Sequence, residues 1–130
     1  MSTLVIHQEP AFIVHDADGN EEHGDVITYH ADVTGPDGLR GVLVGVQNSV
    51  RQHGDEHWDR LGVATFRFEG DDSISVCGVI RYEADQLHSA AGARHLRAVI
   101  GGTGQFIGAR GEAVSVREEN GTFTHTFTLL

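Results

Sequence analysis

Polar and apolar residues alternate along most of this 130-residue chain, at the two-residue period of a β-strand rather than at helical spacing. The clearest stretch is the last one, where Phe123, His125, Phe127 and Leu129 alternate with four threonines. Alternation or β-rich apolar runs predict strands near 3–8, 11–15, 25–34, 40–51, 58–69, 73–82, 95–101, 109–118 and 122–130. Pro10 falls between the first two and cannot donate to a ladder, so they read as one bent strand. The separators "DADGNEEHG", "GPDG", "HGDE", "EGDD" and "SAAGA" are rich in turn residues. Asn120-Gly121 between two alternating runs is a strong hairpin signal. A short helical turn is expected around Glu83–Ala91. No linker or fixed-period repeat divides the chain, so residues 1–130 read as one domain. About eight strands with short antiparallel connections predict an all-β barrel or sandwich. A barrel leaves no edge strand, and eight strands enclose either side chains or one small ligand.

The alternation also assigns faces. Ile27, Tyr29, Ala31 and Val33 share one face, as do Ile74, Val76, Gly78, Ile80 and Tyr82. Ala64, Phe66 and Phe68 form a third set, and Phe123, His125, Phe127 and Leu129 a fourth. These are the expected interior. Strand 40–51 is ambiguous: Leu43, Gly45 and Gln47 lie on one face and Val42, Val44, Val46 and Val50 on the other. If Gln47 points inward, the valines form an outer apolar stripe of the kind that marks a subunit interface. A homo-oligomer, dimer or trimer, is then expected.

Composition narrows the function. Apolar residues make up 39%, enough for one core at this length. The net charge of −10 argues against nucleic acid and against an anionic membrane surface. The segment "MSTLVIHQEPAF" has neither a basic start nor a long apolar stretch, and no run is long enough for a membrane-spanning helix. The single cysteine, Cys77, allows no internal disulfide and suits a cytoplasmic location.

The segment "AVIGGTGQFIGARG" packs five glycines into fourteen residues after an apolar run. A dinucleotide loop would need its third glycine at Ile107, but it comes at Gly108. A Walker loop would need lysine, and all nine basic residues are arginine. Strand period resumes beyond the block, whereas a phosphate loop opens a helix. The glycines therefore read as a tight turn with close backbone packing.

The same block resembles the signature shared by allene oxide cyclases and plant dirigent proteins. Gly101, Gly102, Thr103 and Gly104 lead to Phe106, then to Gly108, Ala109 and Gly111. Upstream, "ATFRFEGDDSISVCG" resembles the family's aromatic strand, turn and following strand, through Phe66, Phe68, Gly70, Ser73 and Gly78. "GDVITYHADV" resembles the cyclase second strand. The likeness spans roughly residues 24–130. It implies a calycin-type, eight-stranded antiparallel barrel with an apolar pocket, no cofactor, and control of a reactive intermediate's shape. It also implies an oligomer. Bacterial proteins with related barrels act as cyclases in polyketide pathways. The chain departs from the plant cyclase where Ile80 replaces a tyrosine and Gln47 falls near its pocket cysteine. Glu9 is the nearest candidate for its first-strand acid.

Two functional classes remain open. One is a cofactor-independent cyclase or isomerase of specialised metabolism, folding an apolar polyunsaturated substrate. The other is a non-catalytic barrel that carries a hydrophobic ligand or steers coupling. Tyr29 and His125 are the candidate catalytic residues. Ile27, Gln47, Phe66, Phe68, Ile80, Tyr82 and Phe127 are the candidate substrate contacts. His125 reads either as a general acid/base or donor, or as a satisfied core histidine. Trp58 and Arg60 read as residues of the barrel mouth. No metal is expected. His53 and His57 lack the H-E-x-x-H pattern, and "HDADGNEEHGD" lacks the turn glycine and closing glutamate of a calcium loop. No Ser-His-Asp order is legible.

Overall fold

A computed structural model describes residues 1–15, 24–50, 57–82 and 91–130. The expected helical turn after Tyr82 and most of both histidine- and acid-rich loops lie outside these residues. The strands are β1 (Ser2–Gln8), β2 (Phe12–His15), β3 (Val26–Thr34), β4 (Arg40–Val50) and β5 (Trp58–Phe68). They continue with β6 (Ser73–Tyr82), β7 (Arg94–Thr103), β8 (Gly111–Arg117) and β9 (Phe123–Leu129). All pairings are antiparallel, in the order β1-β9-β8-β7-β6-β5-β4-β3-β2, and β1 also pairs with β3. The sheet therefore closes on itself. β1 and β2 lie end to end along β3 and count as one stave, giving a closed eight-stranded antiparallel barrel.

The bend between β1 and β2 has the cause expected from Pro10. Gln8 pairs with Val33, whereas Phe12 pairs with His30, so β1–β2 carries one residue more than β3 across the corner. That extra residue is a bulge, and it reverses the inward and outward parity. Gln8 is buried before it; after it Phe12 and Val14 are exposed and Ile13 lines the interior.

A second irregularity lies in β7. Ser75 pairs with Gly101 but Val76 pairs with Val99, leaving Ile100 as the extra residue. The glycine block follows. Gly102 has no room for a side chain, because a β-carbon there would meet the carbonyl oxygens of Phe106 and Ser73. Gly104 starts a single 3-10 turn to Phe106 at a left-handed φ of 61°. Asp72 ties this turn to the β5–β6 connection by accepting from the Gln105 backbone N–H (2.9 Å) and side-chain amide (2.7 Å). The chain then enters β8 rather than a helix, and Phe106 of the block packs against the core beside Phe68.

The interior divides into two halves. At the closed end Ile6, Val33, Leu43, Phe66, Phe68, Ile74, Val76 and Phe127 pack into one core, with Phe106 and Leu39 against it. Phe66 is fully buried and meets Phe127 edge-to-face at 5.1 Å. Among the described residues the opposite end is open and much more polar. The ambiguity in β4 resolves with Gln47 inside, leaving Val44, Val46 and Val50 exposed; Leu61, Val63 and Val79 extend this outer apolar face across β5 and β6. No helix among the described residues is long and apolar enough to cross a membrane.

Candidate functional site

The open half of the barrel holds a cavity of about 270 Å³. Its apolar wall comes from Ile13, Ile27, Leu43, Ile80 and Phe123. Its polar wall comes from Gln8, Tyr29, Gln47, Tyr82, His95, Arg97 and His125, with Arg117 and Asn120 also facing the cavity from the β8–β9 hairpin.

Three of these polar side chains sit over glycines on neighbouring strands. Tyr29 of β3 pairs with Gly45 of β4, and a β-carbon on Gly45 would overlap the phenol ring. Gln47 pairs with Gly62 of β5, whose absent β-carbon would lie 2.9 Å from Gln47 Cγ. The stem of Arg97 likewise covers Gly78 of β6, with Cγ at the same 2.9 Å. Glycine inside a strand marks a close approach. Here each glycine makes the recess that lets a large polar side chain lie against the wall.

Arg97, Ser115, His125 and Gln8 are joined in one chain of hydrogen bonds. Arg97 Nη2 donates to Ser115 Oγ at 2.9 Å, and Ser115 Oγ lies 2.6 Å from His125 Nδ1. His125 Nε2 lies 2.7 Å from Gln8 Oε1. Gln8 Oε1 can only accept, so Nε2 carries the proton and Nδ1 accepts from the Ser115 hydroxyl. That tautomer is neutral. Burial, then the nearby Arg97 charge, hold His125 down to about pKa 3, and the same two causes hold His95 down to about 4. Both rings are therefore uncharged at neutral pH. Tyr29 is shifted the other way: burial raises its hydroxyl above the ordinary phenol value, against a smaller lowering by the nearby Arg97. Tyr29 therefore keeps its proton and can donate it in a hydrogen bond.

These shifts carry a pH prediction. The unfolded chain titrates each histidine near pH 6.5, above both folded values. Below pH 6.5 the unfolded state binds more protons at these rings than the barrel does, so acid favours unfolding. The contribution is fully present above pH 6.5 and is lost as pH falls toward 4. The urea midpoint is expected to drop steadily from pH 7 to 5. A flat midpoint over that range would mean that the rings protonate within the folded barrel.

Of the residues expected from sequence, Ile27, Tyr29, Gln47, Ile80, Tyr82 and His125 meet around this cavity. Phe66, Phe68 and Phe127 do not line it, because they lie deeper along the same inward faces and fill the closed half. Trp58 and Arg60 are buried rather than at a rim, with the Arg60 guanidinium 3.9 Å from the centre of the Tyr82 ring. Glu9 is exposed and stands outside the cavity. His125 is satisfied by two side chains, not by backbone. Among the described residues no cluster of three His, Cys, Asp or Glu could hold a metal.

Gln8, His95, Arg97 and Ser115 were not legible as site residues. In β7 the apolar set Leu96, Ala98 and Ile100 points outward, with Leu96 60% exposed, and the polar His95 and Arg97 point in. A pattern rule alone would have reversed this strand. Alternation did place His95, Arg97 and Val99 on one common face, which was the available signal.

No protein-family model and no curated protein matches the chain. Solved structures do. A pyocyanin demethylase superposes with a TM-score of 0.67 at 16% identity, covering 99% of this chain and 98% of its own. The Diels–Alderase AbmU from Streptomyces koyangensis superposes at 0.68 and 17% identity; the match covers 99% of this chain but only 64% of that one. A pterocarpan synthase dirigent protein superposes at 0.58 and 20% identity, over 98% of this chain and 83% of its own. At such identities the likeness is one of fold. The chain thus has the eight-stranded barrel found in cyclase and dirigent proteins, the architecture that its glycine block resembles in sequence.

Proposed function

We infer that the barrel binds an apolar, polyunsaturated small molecule and directs its ring closure or its stereochemistry. The observation that carries this reading is the division of the interior: one half packed solid, the other a cavity with one apolar wall and a hydrogen-bonded polar wall. Holding a flexible polyene in its reactive conformer can contribute up to about 7–11 kcal/mol. Ring closure within one molecule needs no oxidant and no nucleophile from the protein. Tyr29, held protonated, donates to a carbonyl or enolate oxygen as charge builds there. His125 fixes Ser115, and through it Arg97, as a neutral link between donors. Solved barrels of the same fold include a Diels–Alderase and a dirigent protein, which supports this reading.

The test is turnover of carbonyl-bearing linear polyenes by the purified protein, with products separated by chiral chromatography. A cyclic or stereochemically enriched product is expected. Substrates that saturate the cavity and return unchanged would make this a carrier barrel instead.

The outer apolar face of β4, β5 and β6 is read in the same way, as the seat of further copies of this chain. A dimeric or trimeric mass is expected by light scattering, reduced to the monomer by Val46→Glu. A monomeric wild-type protein at micromolar concentration would refute this assembly.

A further inference from the structure

The cavity wall has a charge pattern opposite to that of the whole chain. The protein carries a net charge of −10, yet the described residues lining the cavity include two arginines, Arg97 and Arg117, and no carboxylate. Arg97 is the deeper of the two, only 8% exposed. A buried guanidinium is ordinarily matched by an acid, since removing a charge from water is costly. Among the described residues Arg97 has neutral neighbours only: Ser115 accepts from Nη2 at 2.9 Å, and the Tyr29 phenol lies close enough to feel its charge. Its Nε–H is buried with no hydrogen-bond partner among the described residues. Neither nearby histidine can supply a counter-charge, because an imidazole is neutral or cationic; the Arg97 charge instead helps to hold both neutral. Gly78 makes the recess under the Arg97 stem, which shows a built position rather than an accidental one.

We propose that Arg97 receives an anionic oxygen at the head of the substrate, either a carboxylate or the enolate of an ionised 1,3-dicarbonyl. This rests on the reading of the cavity as a polyene site and adds the polar end of its ligand. The acid seats on the part of the guanidinium that Ser115 leaves free, with Arg117 adding positive potential nearer the hairpin. The unsaturated tail then lies along Ile27, Leu43 and Ile80. Specificity follows: a neutral polyene of equal length loses the charge-assisted bonds that the acid makes.

Calorimetry with matched probes tests this. The first pair is deca-2,4-dienoic acid and deca-2,4-dien-1-ol. The second is 2-octanoylcyclohexane-1,3-dione, ionised at neutral pH, and its enol methyl ether. The acidic member of at least one pair is expected to bind about 10–100-fold more tightly than its neutral partner. Whichever pair shows the preference identifies carboxylate or enolate as the preferred head. In Arg97→Gln the preference is expected to shrink to about threefold or less, and Arg97→Lys, which keeps the charge, to restore part of it. Equal binding of acid and neutral probe by the wild-type protein overturns the proposal while leaving the apolar cavity intact. So does a preference that survives Arg97→Gln. Binding of no probe at all sinks both this proposal and the polyene reading. The wild-type comparison decides the matter even if Arg97→Gln fails to fold.

Discussion

Replacing Tyr29 by phenylalanine is expected to lower kcat by about 100–1,000-fold on a substrate that the turnover test identifies. Burial keeps this phenol protonated at the cavity wall, against a smaller opposing effect of the Arg97 charge. A donor so held needs no reorganisation when charge builds on the substrate oxygen, and deleting such a donor typically costs about 3–4 kcal/mol of transition-state stabilisation. The ring itself stays over Gly45, so substrate shape and KM should change little, a split that separates lost catalysis from lost binding. Gly45→Ala offers an independent check. It leaves the hydroxyl in place chemically but pushes the ring off the wall, and should reproduce much of the loss. Full turnover by Tyr29→Phe would remove Tyr29 from the mechanism.

The second large effect is on stability. Phe66→Ala empties the centre of the closed half, where Phe66 contacts Phe127 at 5.1 Å and His125 at 4.9 Å, both edge-to-face. Truncating a buried phenylalanine costs about 3–5 kcal/mol, through lost transfer energy and the hole left behind. For a domain of this size that corresponds to a fall in Tm of roughly 10–20 °C. Closure makes collapse of the hole difficult, because every strand around it is paired on both sides. Calorimetric melting measures the shift. A change of only a few degrees would show that the aromatic layer repacks, and would blur the boundary between core and cavity. Phe66 also supports the His125 ring, so the same variant should weaken the Arg97–Ser115–His125 link.

The two substitutions fall on opposite sides of a boundary that strand patterns do not mark. Phe66 and Tyr29 both stood out as inward residues, and by alternation alone they are equivalent. What separates them is depth along the barrel. Phe66 lies at the level of Ile74 and Leu43, directly paired with both, whereas Tyr29 lies across from Gly45. Depth depends on register, and register is a property of pairs of strands.

β7 shows the limit most clearly. Its outward Leu96 and Ile100 and inward His95 and Arg97 contradict the rule that apolar residues turn inward. Such inversions belong at functional sites, where one local preference is given up for a placed group. The recesses at Gly45, Gly62 and Gly78 were visible as strand glycines, but what each accommodates lies one strand away.

The alternating pattern by itself determined the β class, the strand boundaries to within about two residues, the bend at Pro10 and the structural use of the glycine block, because a period of two and the φ of proline and glycine are local properties. Tertiary structure alone decided which inward residues fill the core and which line a cavity, that Arg97 and His95 face inside, and that Gln8, Ser115 and His125 meet. Those outcomes follow from closing the sheet, with two bulges setting parity on β1–β2 and β7, and closure joins residues more than a hundred positions apart.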